Sequence, residues 1–253
     1  MILLDCFAIS QSGEAHEING DFVALDHEAR VFVVADGISG RPGGAVASKI
    51  AVETFLAHLK GKEISTGGAS DVLIEAIRAA GWELRRVGRA DPLITGMGTT
   101  LSALVLSGQV AYIAHVGDSR IYRFREGGLR QLTTDHTLVA ELVKGKHIRP
   151  EMARRHPLRN VLSQSLGADQ SVEPQLLELD LADRDLFILV TDGLGKVMDE
   201  GQLLALVRQN QMETSESLCR LLVADAEEGS PADDLTVAVV RVHTLDQSEE
   251  GTP

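Results

Sequence analysis

Cysteine is nearly absent from this 253-residue chain: Cys6 and Cys219 stand far apart, with no spacing that suits a disulfide framework or a metal knuckle. A secreted, stapled scaffold is thereby excluded, and reduced thiols packed inside a cytosolic protein are expected. Basic residues are also in short supply, 24 against 37 acidic ones, for a net charge of −13. Nucleic acid and anionic membrane surfaces both demand a basic face, so neither is expected as a partner. No apolar run approaches the ~20 residues that span a bilayer. The opening MILLDCFAIS has no basic region and is interrupted at Asp5, so a signal peptide is not expected and the location should be cytoplasmic. Aromatic residues make up 4% of the chain, with a single tryptophan, Trp82, which falls in a helical pattern and is expected to pack in the core. The Gly-rich or polar stretches are too short to be linkers. One domain over residues 1–245 is expected, followed by a frayed acidic tail at 246–253, and the protein should be a monomer.

What the chain does have is a repeated device, an apolar strand ending in a carboxylate. Val31 to Ala35 is a continuous apolar run that stops at Asp36 and Gly37, the pattern of a strand buried on both faces. A carboxylate at the mouth of such a strand is costly unless a cation or several donors face it. Alone, Asp-Gly is an ordinary turn signal. The device recurs, however: Leu186 to Val190 ends in Thr191, Asp192 and Gly193, and Asp233 and Asp234 open the apolar run Leu235 to Val242. Carboxylates at three strand ends point to a shared pole where hard, oxygen-liganded divalent cations would sit.

Between these runs, the spacing predicts strands at Ile2 to Ser10 and Phe22 to Leu25, and helices at Ala45 to Leu59 and Ala69 to Val87. From Gly96 to Thr137 the period changes to that of antiparallel strands, one of them interrupted at Gly117, Asp118, Ser119 and Arg120, where glycine suggests a bulge or a close approach to something. Short helices at Thr137 to Val143 and Pro150 to His156 flank a basic cluster running from Lys144 to Arg159. A solvated loop and a receiver for an anionic substrate are both open there. Helices at Glu200 to Gln209 and Ser215 to Glu227 precede the last strand. Strict strand-helix alternation is missing, so a doubly wound parallel sheet is excluded in favour of an α+β fold, two antiparallel sheets face to face with helices outside. The turn SGRPGG at 39–44 is not a phosphate-binding P-loop, because it lacks the Gly-Lys-Ser/Thr ending.

Taken together, ADGISG (35–40), GGAVAS (43–48), GMGTTL (96–101), HVGDSRIYR (115–123), LTTDHT (132–137), RRHPLRNVLSQSLG (154–167), LVTDGL (189–194) and DDLTVAVV (233–240) resemble, in order, the metal-dependent Ser/Thr protein phosphatases of the type 2C family in their short bacterial form. The resemblance implies a four-layer α-β-β-α sandwich. It also implies that Asp36 bridges two Mn²⁺ or Mg²⁺ ions, that Gly37 is a ligand through its carbonyl, and that Asp192 and Asp233 hold the second ion. Asp118 with Asp192 would hold a weaker third ion, and Asp21 would act through metal waters. Two such ions roughly 3.5–4 Å apart lower the pKa of a shared water from about 15.7 towards neutrality, giving a hydroxide that attacks phosphorus directly. The implied substrates are phosphoserine and phosphothreonine proteins, set against a Ser/Thr kinase.

The chain departs from the family at three places. His16 stands where relatives carry a phosphate-gripping arginine, and an imidazole cannot offer the bidentate guanidinium fork. Ile38 replaces the histidine of animal members that is proposed as general acid. Arg41 and Ala45 stand where bacterial relatives often have His and Glu, which makes Arg41 a candidate to supply the missing cation. A phosphatase that has kept binding but lost turnover, and a hydrolase of small phosphate esters, are the rival functions. The segment from Leu138 to Arg159 is expected to form a mobile flap, at about 138–160, beside the metal pole.

Overall fold

Side chains alternate along β3 (Val31–Asp36), and in doing so build the layers on both of its faces. Val31, Val33 and Ala35 pack with Phe55 of α1 (Gly44–Leu59) and with Leu73 and Ile77 of α2 (Ala69–Ala90), whereas Phe32 and Val34 pack the other way, against Phe187 and Leu189. With both faces covered, the strand is apolar throughout instead of alternating. The structure, a computed structural model, describes residues 2–38, 43–153 and 155–244. Among these residues the strands form two five-stranded sheets. One has the order β1 (Ile2–Gln11), β10 (Leu235–Thr244), β9 (Leu186–Val190), β6 (Arg120–Arg125), β7 (Gly128–Gln131), and the other β2 (Asp21–Asp26), β3, β4 (Leu101–Ser107), β5 (Val110–Val116), β8 (Gln175–Asp180). Neighbouring strands pair antiparallel.

On the first sheet, Phe187 and Leu189 of β9 and Ala238 and Val240 of β10 face the opposing sheet. Ile188, Val190, Val237 and Val239 turn outward, onto Leu203 of α6 (Glu200–Gln209) and Leu218 and Leu222 of α7 (Ser215–Glu228). The layers are therefore helices, sheet, sheet, helices, the expected four-layer sandwich. Each fully buried leucine or phenylalanine in these interlayer cores contributes about 1.5–3 kcal/mol.

Two local expectations are corrected. Trp82 is 60% exposed rather than buried. The buried stripe of α2 runs through Leu73, Ile77, Ala80 and Leu84, and a residue two positions before Leu84 lies about 200° round the helix, on the solvent side. Of the two readings of Gly117, the bulge is excluded, because β5 and β6 belong to different sheets and the chain crosses the sandwich there, and the close approach is the one observed. Gly117 has φ 110°, and a Cβ on it would lie 2.5 Å from Thr100 Cγ2, so this crossing requires glycine. Beyond the end of β9, Asp192 begins a helix, α5 (Asp192–Val197). The thiols divide as well: Cys219 is buried, while Cys6 is half-buried. Burial pushes Cys219 up to about 12 and Cys6 to about 11, with Asp5 adding to the latter, so both remain protonated and unreactive. Arg41, Arg154 and the tail at 246–253 lie outside the described residues.

Candidate metal centre

Strand register does the first part of the assembly. β2 pairs with β3 so that Asp21 is the Cα partner of Asp36, and β9 and β10 of the facing sheet end near the same pole, carrying Asp192 and Asp233. The β5–β6 crossing brings Asp118. All five converge electrostatically: the Asp36 carboxyl is pushed well above the usual carboxylate range, first by burial and then by repulsion from Asp21, Asp192, Asp118 and Asp233. Burial is also the largest cause for Asp21, raised to about 7 against the opposing pull of hydrogen bonds from Thr191 and Thr236. Asp118 is raised to about 8 by burial, with Asp192 and Asp135 adding repulsion.

A cluster that repels itself needs a counter-charge, and the unpaired atoms show where it belongs. Among the described residues, Asp21 Oδ1 and Asp192 Oδ1 are buried carboxylate oxygens without a hydrogen-bond partner. Oxygen donors of this type, several to one pole, are what Mg²⁺ and Mn²⁺ take. The residues therefore fit a hard divalent ion.

The backbone around Asp36 is tied down. Its N–H donates to Thr100 Oγ1 (2.9 Å), and its carbonyl accepts from the Thr100 N–H (2.9 Å) and Thr99 Oγ1 (2.8 Å). Gly37 N–H donates to the Gly20 carbonyl (3.0 Å), and a Cβ on Gly37 would lie 2.1 Å from the Gly44 carbonyl oxygen. Only glycine allows that approach, which holds the Gly37 peptide against the start of α1.

The acidic pair 233–234 divides its labour. Asp234 is buried and accepts from the Gly13 N–H (3.0 Å) and Gly20 N–H (2.7 Å), fastening the first loop to β10. Asp233 instead faces Lys196, which hydrogen-bonds its Oδ2 and lies 2.5 Å from Asp192 Oδ2. Lys196 was not singled out from sequence. Its only signal is the i,i+4 spacing from Asp192, invisible while that stretch is taken for a turn. His16 stands beside the same acids, its Nδ1 3.1 Å from Asp234 Oδ1 and 3.6 Å from Asp233 Oδ1.

Two clefts open at this pole. The larger, about 490 Å³, is lined by Asp118, Asp192, Lys196 and the bidentate pair of Arg120 with Asp135, and by Arg159 and Asn160 from the other side. The smaller, about 450 Å³, holds His16, Asn160, Lys196 and Asp233. Along the larger cleft run α3 (Leu138–Lys144) and α4 (Pro150–Ala153), through Val139, Ala140 and Ala153.

A family model described as protein phosphatase 2C matches residues 15–230. The chain belongs to the protein phosphatase 2C family. Among curated relatives it is 36% identical, over 87% of its length, to the serine/threonine protein phosphatase PstP of Mycobacterium tuberculosis, and it spans about two fifths (42%) of that protein. It is 29% identical to the protein phosphatase PhpP of Streptococcus pneumoniae, covering 94% of this chain and 97% of the relative. The crystal structure of M. tuberculosis PstP superposes with a TM-score of 0.87 at 31% identity, covering 96% of this chain and 100% of that one. The PstP catalytic domain in complex with two manganese ions superposes with a TM-score of 0.84 at 31% identity, over 96% of this chain and 100% of that one. In the protein phosphatase 2C fold of this chain, the aspartates singled out from the sequence meet at one pole. No helix among the described residues is long and apolar enough to cross a membrane.

Proposed function

We propose that this chain is a Mn²⁺- or Mg²⁺-dependent phosphatase of phosphoserine and phosphothreonine proteins, acting as a cytoplasmic monomer against a Ser/Thr kinase. The observation that carries the reading is the convergence of Asp21, Asp36, Asp118, Asp192 and Asp233, with two buried carboxylate oxygens unpaired. Residues 1–245 form its one catalytic domain. Asp36 would serve both ions with the Gly37 carbonyl as a further ligand, Asp192 and Asp233 would hold the second ion, and Asp118 with Asp192 would hold a weaker third. Asp21, hydrogen-bonded by Thr191 and Thr236 at 2.7 Å each, keeps one oxygen for metal waters. Bound there, the ions supply an acidified water and neutralise the phosphoryl oxygens as charge moves to the leaving group.

The protein's own groups position the ester. Lys196, His16 and Asn160 line the approach to Asp233, where a phosphoryl dianion would lie. The segment 138–160 acts as a flap whose basic residues favour acidic phosphopeptides, with Arg159 on the cleft wall. Charge reversal at Arg155 and Arg159 should raise KM for phosphopeptides while sparing a small aryl phosphate, and equal effects on both would remove the flap from selection.

A binding module without turnover is the second reading, favoured by His16, whose Nδ1 is engaged with acids rather than left free for phosphate. The deciding experiment measures phosphate release from a phosphothreonine peptide and from a small aryl phosphate, with Mn²⁺, Mg²⁺ or EDTA. Metal-dependent release from the peptide supports the protein phosphatase. Release from the aryl ester alone supports a small-ester hydrolase, and binding of the peptide without release supports the module.

A further inference from the structure

Lys196 follows Asp192 by one helical turn on α5, and its ammonium joins Asp192 Oδ2, at 2.5 Å, to Asp233 Oδ2. These are the two carboxylates assigned above to the second ion, so the ammonium now offsets the charge of the carboxylates that a divalent ion would claim, while Asp192 Oδ1 stays unpaired among the described residues. The same side chain borders both clefts, with Asp118 and Arg159 in the larger and with His16 and Asn160 in the smaller. An ammonium and a divalent cation held on the same pair of carboxylates repel each other strongly in so confined a site. The ammonium must leave when the ion arrives. Its flexible four-carbon stem, with no planar fork to fix a direction, lets it do so without moving the helix.

Where it goes is set by what else is anionic nearby. Once metal holds Asp192 and Asp233, the next anion to enter the cleft is the phosphoryl group. His16 Nδ1 is engaged with Asp234 at 3.1 Å, and among the described residues Lys196 is a cation that borders both clefts and is able to turn toward such an anion. We propose that Lys196 is a tethered cation with two positions: on Asp192 and Asp233 in the metal-free protein, and on the substrate's phosphoryl group once metal has displaced it. This rests on the phosphatase reading, since it presumes metal at those carboxylates and a phosphate ester beside them.

Two affinities become linked. Metal binding works against the lysine unless an anion takes up the released ammonium, so inorganic phosphate should tighten Mn²⁺ binding, and Mn²⁺ should tighten phosphate binding by the same factor. The lysine also holds the metal-free pole together by offsetting charge that is otherwise mutually repelled.

The test uses the intact chain as wild type, Lys196→Gln and Lys196→Arg. Free Mn²⁺ is followed by electron paramagnetic resonance with and without inorganic phosphate, and thermal unfolding is recorded in EDTA. In Lys196→Gln, Mn²⁺ should bind on the order of tenfold more tightly without phosphate, the tightening by phosphate should diminish, and the melting temperature in EDTA should fall. Mn²⁺ affinity equal to or below wild type, or an undiminished phosphate effect, overturns the proposal. Should the glutamine variant not fold, Lys196→Arg decides: it keeps the competing charge and should bind Mn²⁺ no more tightly than wild type, and tighter binding overturns the proposal. Wild type that binds no Mn²⁺ overturns the metal reading and this inference together. Wild type that binds Mn²⁺ and dephosphorylates the phosphothreonine peptide, beside an indifferent glutamine variant, overturns this inference alone.

Discussion

Asp21 and Asp36 are Cα partners across the β2–β3 ladder, and both carboxyls are raised above the usual carboxylate range, chiefly by burial. Two acids placed opposite one another on neighbouring strands are destabilising unless something cationic joins them. The pole is thus a site where stability has been given up for ligation.

Asp36 is the centre of that repulsion, so replacing it should separate function from stability. Asp36→Asn is expected to lower Mn²⁺-dependent phosphate release by about two orders of magnitude or more, yet to raise the melting temperature in EDTA, because an acid facing four others is replaced by a neutral amide. Asp192→Asn and Asp233→Asn should abolish activity too but lower that melting temperature, since each removes a partner of Lys196. Calorimetry in EDTA alongside a phosphate-release assay distinguishes the two behaviours.

Metal uptake should release protons. The folded carboxyls of Asp21 and Asp118 are raised to about 7 and about 8 from an ordinary value of 3.8. Their folded values exceed their unfolded ones, so the metal-free protein is most stable at low pH on their account and loses that contribution as pH rises through 7 to 8. Mn²⁺ needs them ionised, so its affinity should climb over the same window. Titration calorimetry in buffers of different ionisation enthalpy checks the proton count, and a pH-independent affinity would refute the coupled cluster.

His115 gives the opposite sign. It is fully buried, its Nδ1 2.8 Å from Ser102 Oγ and its Nε2 3.1 Å from the Thr134 carbonyl, with the His136 ring 4.9 Å away. Burial first, then His136, lower it to about 3 from 6.5, while Asp135 pulls the other way. A folded value below the unfolded one means that stability is complete above 6.5 and is lost as pH falls towards 3, at up to about 1.4 kcal/mol per pH unit. His115→Gln should flatten that part of the denaturation profile measured in urea between pH 4 and 6.5, and an unaltered slope would show that another group carries it.

His16 can be tested by restoring the family residue. If its free nitrogen contacts the phosphoryl group, His16→Arg should lower KM through a charge-assisted hydrogen bond, by on the order of 1.5–3 kcal/mol at most. His16→Ala should raise KM and leave kcat nearly unchanged. Identical KM values in all three proteins would confine His16 to tying Asp234 in place, 3.1 Å away.

Much of this protein was legible along the chain. Val31 to Ala35 and Leu186 to Val190 announced strands covered on both faces, because apolar periodicity is a local property, and the acids that end them announced a pole. What needed the tertiary structure depends on contacts between distant residues. Asp233 and Asp234 are adjacent and chemically identical, yet one fastens Gly13 and Gly20 while the other faces Lys196. Nothing local distinguishes them, since the choice is made by which side of β10 the first loop crosses. The chain's passage between sheets at Gly117 could not be told from a bulge, because a glycine with positive φ serves a G1 bulge as well as a crossing. Trp82 is apolar in a helix but on its wrong side, a phase error that a single residue type cannot reveal. Lys196 enters the pole only because α5 begins at Asp192 and carries its fifth residue back over the strand ends. Residue type and period determined the strands and the acids; packing and register decided which charges meet, because Coulomb energy depends on separation in space and not along the chain.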